Sequence, residues 1–141
     1  MEVKPILKIE LNGDKRWYFN KLLHREDGPA IEYAEGSKTW YLNGLIHRAD
    51  GPAIENIKGG KFWYLNGKRH RADGPAREYI NGTKIWYLNG KLHREDGPAA
   101  EYASGHKEWY YEGNKVTPMD IFELLSDEQK GKAIWELDQW K

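Results

Sequence analysis

The chain has 141 residues, with 22 Lys and Arg against 22 Asp and Glu. It therefore carries no net charge at pH 7 and lacks the positive footprint expected of a nucleic-acid binder. The absence of cysteine removes disulfide frameworks and thiolate metal sites. A content of 39% hydrophobic and 13% aromatic residues is that of one packed domain, no apolar stretch approaches the ~20 residues of a membrane span, and Met1-Glu2-Val3-Lys4-Pro5 has no signal-peptide core, so the expectation is a soluble cytoplasmic protein.

Along the chain, Trp17, Trp40, Trp63, Trp86 and Trp109 recur every 23 residues, each followed by tyrosine. Other residues keep the same phase. His-Arg-x-Asp-Gly-Pro-Ala starts at His24, His47, His70 and His93, a glutamate follows two residues after each Ala (Glu32, Glu55, Glu78, Glu101), and Gly-x-Lys closes each unit at Gly36, Gly59, Gly82 and Gly105. Gly13 and Lys15 already hold the phase, and Gly113 still holds it, with Val116-Thr117 where His-Arg would stand. Residues 1–116 thus hold four full units with a partial one at each end. A unit this small cannot bury a core alone, so neighbours must stack along one axis.

Within a unit, Asn43-Gly44, Asn66-Gly67 and Asn89-Gly90 predict two-residue hairpin turns, because both central residues need positive φ. A second turn is predicted at the x-Gly of Glu35-Gly36, Lys58-Gly59, Asn81-Gly82 and Ser104-Gly105, and a third break at Asp-Gly-Pro. Three strands per unit are expected, roughly 30–34, 38–42 and 45–48. In that register Leu42 faces Leu45, Tyr41 faces Ile46 and Trp40 faces His47. Trp40 and Tyr41 must then point to opposite sides, with Trp the core residue and Tyr an exposed hydrogen-bonding ladder. Asn20-Lys21 replaces Asn-Gly in the first unit, and lysine at positive φ predicts a changed or loosened turn there.

After Lys115 the period is lost. Thr117-Pro118 reads as an N-cap with proline at the first helical position and Asp120 in the first turn, giving a short helix to about Leu125. Ser126-Asp127-Glu128-Gln129 is a capping box opening a second helix, with Ala133, Ile134 and Leu137 at helical spacing and Lys130 and Trp140 at its margins. Residues 117–141 are therefore expected to cap the array, whose last unit has no successor; docking to a partner is the other reading of these helices.

Asn-Gly-x-x-His at residues 43–47, 66–70 and 89–93, with the aromatic strand before it, resembles the MORN-type repeats, whose units have the same length. The likeness covers about Trp17 to Gly113. The chain differs in carrying Arg-x-Asp-Gly-Pro-Ala after the His and in the offset of the second glycine, and as a MORN-like variant it is similar to uncharacterised repeat proteins of bacteria and their phages. The resemblance implies β-hairpins stacked into an elongated twisted sheet or solenoid, and an association with protein or lipid-surface binding and scaffolding.

The repeated His-Arg-x-Asp could supply a general base or metal ligands. A structural role fits better: every unit needs the same turn, and two or three strands per unit at ~4.8 Å place equivalent histidines roughly 10 Å apart, too far to share one zinc ion. No metal site, cofactor or catalytic residue is assigned. Ser37, Ser104 and Ser126 lie in no nucleophile turn, acid pairs such as Asp50 and Glu55 recur in every unit, and no glycine-rich loop precedes a helix.

Binding is better supported, since Tyr, Trp and Arg dominate interface energetics. Tyr41, Tyr64 and Tyr87 with Arg48, Arg71 and Arg94 are candidates for a repeated binding face; the competing reading is that each Tyr covers the sheet and each Arg pairs with its turn Asp. Arg69 and Arg77 break the pattern, standing where other units have Leu or Ile and Ile or Ala, and mark a candidate recognition spot. The expected function is non-enzymatic: a module that occludes or scaffolds another protein, one form being a phage or mobile-element inhibitor of a host factor. The alternative is a small anionic ligand held by inter-repeat His/Arg clusters.

Overall fold

Each Asn-Gly closes the hairpin it predicts. In the computed structural model, which describes residues 4–133, Asn43 (φ 49°) and Gly44 (φ 79°) are both left-handed, with Tyr41 paired to Ile46 and Leu42 to Leu45. Asn66-Gly67 and Asn89-Gly90 repeat the arrangement, pairing Tyr64–Leu65 with Lys68–Arg69 and Tyr87–Leu88 with Lys91–Leu92. The first unit corrects its expectation. Asn20 (φ 50°) and Lys21 (φ 65°) keep the same turn and Phe19 still pairs with Leu22, so strand register prevails over the backbone preference of lysine.

The second turn is a longer loop. Tyr33 N–H donates to the Ser37 carbonyl and Gly36 N–H to the Tyr33 carbonyl, both at 2.9 Å, and Gly36 takes a φ of 109° that a side chain would resist. It joins Ile31–Glu32 to Lys38–Thr39 as an antiparallel pair.

Between Ile31 and Ile46 the chain therefore carries four strands of two residues, Ile31–Glu32, Lys38–Thr39, Tyr41–Leu42 and Leu45–Ile46, where three longer ones are expected from sequence. The long strand breaks at Trp40. Its N–H donates to the Ala53 carbonyl (2.8 Å), while its own carbonyl accepts from His47 N–H (3.0 Å), so one residue bonds in two directions. Strands equivalent to Ile31–Glu32 and Lys38–Thr39 enter a common sheet, and those equivalent to Tyr41–Leu42 and Leu45–Ile46 form a side hairpin.

The common sheet has twelve strands. In spatial and sequence order it runs through Ile6–Ile9, Lys15–Phe19, Ile31–Glu32, Lys38–Thr39, Ile54–Glu55, Lys61–Phe62, Arg77–Glu78, Lys84–Ile85, Ala100–Glu101, Lys107–Tyr111 and Asn114–Val116, with Leu22–Leu23 beside the second strand. Two strands per unit at ~4.8 Å make the repeat step roughly 10 Å. Successive side hairpins are tied as well: Arg48 N–H donates to the Tyr64 carbonyl (3.1 Å) and Gly67 N–H to the Ile46 carbonyl (2.8 Å).

Fully buried side chains are small. Ala30, Ala53, Ala76 and Ala99 of the Asp-Gly-Pro-Ala segments are 0% exposed, whereas the five repeat tryptophans are only half-buried. That corrects the expectation of a tryptophan core: alanine fits where the loop, the sheet and the Trp strand converge, and Trp17, Trp40, Trp63 and Trp86 lie outside it under an arginine. The tyrosines are no exposed ladder either, since Tyr41 and Tyr64 are half-buried and Tyr87 is buried.

At the C-terminal end, helix α1 (Pro118–Leu124) is capped as its sequence predicts. Thr117 N–H donates to Asp120 Oδ2 (2.8 Å) and Asp120 N–H to Thr117 Oγ1 (3.1 Å). Ile121 is 1% exposed where α1 packs on the Lys107–Tyr111 strand. Helix α2 (Asp127–Ala133) opens with the Ser126/Gln129 box, each backbone N–H bonded to the other's side chain. Ile134, Leu137 and Trp140 lie outside the described residues.

Candidate binding face

The repeat arginines are engaged inside their own units. Arg71 Cζ lies 3.9 Å from the centroid of the Trp63 ring, as Arg25, Arg48 and Arg94 do over Trp17, Trp40 and Trp86. Arg71 Nε donates to Asp73 Oδ1 (2.9 Å), and its Nη1 to the Pro75 carbonyl and to Glu78 Oε1 (both 3.1 Å). The other three units repeat these bonds. Arg48, Arg71 and Arg94, candidates for a binding face by sequence, thus each staple the Asp-Gly-Pro loop to their own Trp.

The histidines join units. Asn43, Asn66, Asn89 and Glu112 donate their N–H to Nδ1 of His24, His47, His70 and His93, at 2.9 to 3.0 Å. Each is therefore an acceptor at Nδ1, and its ring satisfies a turn amide of the following unit. Asp14, Ser37 and Thr83 form a parallel set of straps, accepting from the N–H of Ala34, Ile57 and Ala103 at 2.8 to 3.1 Å. Among the described residues no group of three or more His, Cys, Asp or Glu is placed to hold a metal ion.

Pairing sorts the sheet into two faces. One row runs Lys15, Glu32, Lys38, Glu55, Lys61, Glu78, Lys84, Glu101, Lys107, so each strand opposes charge with opposite charge. The Trp–Arg staples reach this row through the glutamates. The opposite row runs Arg16, Ile31, Thr39, Ile54, Phe62, Arg77, Ile85, Ala100, Glu108 and is mostly uncharged.

Arg69 and Arg77 come together on this second face. Arg77 pairs with Phe62 in the sheet and Arg69 with Tyr64 in the side hairpin. Arg77 Nη1 donates to the Tyr79 hydroxyl (2.9 Å) and Nη2 to the Tyr64 hydroxyl (3.3 Å), while Arg69 Nη1 donates to the Tyr87 hydroxyl (3.2 Å). Both guanidiniums approach the Tyr87 ring, at 5.1 Å for Arg69 and 5.9 Å for Arg77. Phe62 meets Tyr79 edge-on with centroids 5.2 Å apart. Burial pushes the Tyr64 phenol up, but hydrogen bonds and charge from Arg77 and Arg69 outweigh it and hold the group below its ordinary value. Tyr41, the equivalent residue one unit earlier, has no such pair and burial raises it.

Of the seven arginines, Arg16, Arg25, Arg48, Arg71 and Arg94 meet carboxylates within 4.0 Å. Among the described residues Arg69 and Arg77 meet phenols instead, and the Nε–H of Arg77 is buried without an acceptor. Single-position comparison of the units finds these two arginines but misses Phe62, Tyr79 and Gly60 around them. The signal was there in part: Phe62 replaces Thr39 or Ile85, and Gly60 replaces the strap residues Ser37 and Thr83. A Cβ on Gly60 would lie 3.3 Å from Phe62 Cζ, so the small residue makes room for the large ring.

No protein-family model matches the chain, and no curated protein is significantly similar to it.

Proposed function

We propose that the chain is a non-enzymatic protein-binding module of MORN-like type, working in the cytoplasm, whose tyrosine-rich sheet face occludes or scaffolds another protein. An inhibitor of a host factor carried by a phage or mobile element is one form of this reading. The observation that carries it is the asymmetry of the two faces. The Lys/Glu row is neutralised strand by strand, whereas the opposite face offers Tyr64, Tyr79 and Tyr87 around two arginines that meet no carboxylate among the described residues, and Tyr and Arg are the side chains from which interface energy most often comes. An anion held by inter-repeat His/Arg clusters is less well supported, because His Nδ1 and the repeat guanidiniums already have partners within the array.

Affinity capture on the immobilised full chain tests this, with Tyr64→Ala/Tyr79→Ala as the face variant and circular dichroism as the folding control. The expected result is a discrete protein held by the parent chain and weakened at least tenfold by the variant. A folded variant that holds the same protein equally well, or a small-molecule mass that co-purifies with the chain in native mass spectrometry and is lost on replacing Arg71, would contradict it.

A further inference from the structure

Among the described residues five arginines are answered by carboxylates, and the two that are not share one place. A guanidinium presents a planar fork of donors matched to a carboxylate, and the chain uses that match with Asp and Glu in every full unit. Arg69 and Arg77 keep the fork but give it weaker phenol acceptors. Around them the lysines are turned away: Lys61 and Lys84 stand in the charged row of the other face, and Lys68 pairs with Leu65, one residue out of phase with the Tyr64–Arg69 pair. The local charge is therefore that of two arginines, set on a floor of Phe62, Tyr64, Tyr79 and Tyr87.

The other units form without such a pair. Other units place Leu23, Ile46 and Leu92 at the first position and Ile31, Ile54 and Ala100 at the second while keeping the same strands. The orphaned Nε–H of Arg77 is a burial cost that those units do not carry.

We infer that Arg69 and Arg77, with the hydroxyls of Tyr64, Tyr79 and Tyr87, form a docking point for the carboxylate of an Asp- or Glu-bearing segment of the partner protein. The inference rests on the protein-binding reading and specifies its chemistry. The incoming carboxylate supplies the charge that Asp and Glu supply to the other arginines, while the aromatic floor covers the apolar part of the same segment.

The probe is an N-acetylated, amidated hexaglutamate, titrated at low ionic strength into the full chain, with the arginine Nε–Hε signals followed by NMR; inorganic phosphate is the second arm. Hexaglutamate should shift the Arg69 and Arg77 signals saturably, weaken with added salt, bind more tightly than phosphate, and lose at least tenfold in affinity in Arg69→Leu/Arg77→Ala. Unmoved arginine signals, equal binding by the double variant, or tighter binding of phosphate would each overturn the carboxylate assignment. A protein captured as described above that binds Arg69→Leu/Arg77→Ala as tightly as the parent chain would leave the protein-binding reading standing and remove only this docking point.

Discussion

The guanidinium of each repeat arginine fills the space that a side chain would need on the glycine three residues later. A Cβ on Gly28, Gly51, Gly74 or Gly97 would approach the arginine Cζ to 3.0, 3.1, 2.9 and 2.7 Å. From sequence, Asp-Gly-Pro reads as a turn whose glycine supplies backbone freedom, yet none of these four is at positive φ. The requirement is room for a cation held on a Trp ring. Gly97→Ala should displace Arg94 from Trp86 and cost about 1–3 kcal/mol in chemical denaturation, as forced overpacking does. Denaturation at the parent midpoint would show that the staple adjusts freely. The Arg–Asp pair was legible because the two residues are close in sequence. The Arg–Trp stack and the Arg–Glu bond were not, since which side chains meet depends on the break at Trp40 that separates sheet from hairpin.

Turn chemistry made the elements legible and also set the limit of that reading. Asn-Gly fixed the hairpin register, and the Thr117 capping box placed the start of α1. Lys21 misled, because paired strands on both sides hold a turn that the residue alone would not choose. Strand lengths were overestimated because an alternating run such as Lys38 to Leu42 gives no sign that Trp40 directs its two backbone groups to different partners. Helix α1 tests whether the end of the array needs cover. Ile121→Ala should cost about 2–5 kcal/mol, the usual loss for a fully buried isoleucine. Deleting residues 117–141 should expose apolar surface around Trp109 and Tyr111 and give aggregation or a lower melting temperature. A truncated chain that stays monomeric and melts unchanged would instead make these helices the docking element.

At the scale of the molecule, zero net charge conceals two unlike faces. The Lys/Glu row balances itself strand by strand, and the straps from His47 and its equivalents tie each unit to the next, with a second strap from Asp14, Ser37 and Thr83 that the Gly60 unit lacks. A cluster of departures from the repeat gathers at Gly60, Phe62, Arg69 and Arg77 in the middle of the sheet. The repeat period and the two breaking arginines were visible in sequence; their convergence on Tyr64 was not, because it joins one side hairpin to the sheet strand that follows it.

The central claim is that the repeat arginines build the fold and the two pattern-breaking arginines do not. Thermal melting of Arg69→Leu/Arg77→Ala beside Arg71→Leu tests it in one measurement. The double variant should melt within about 3 °C of the parent chain or above it, while Arg71→Leu, which loses the Trp63 stack and two carboxylate bonds, should fall by at least about 5 °C. A double variant that falls as far as Arg71→Leu would make Arg69 and Arg77 part of the scaffold and contradict the account.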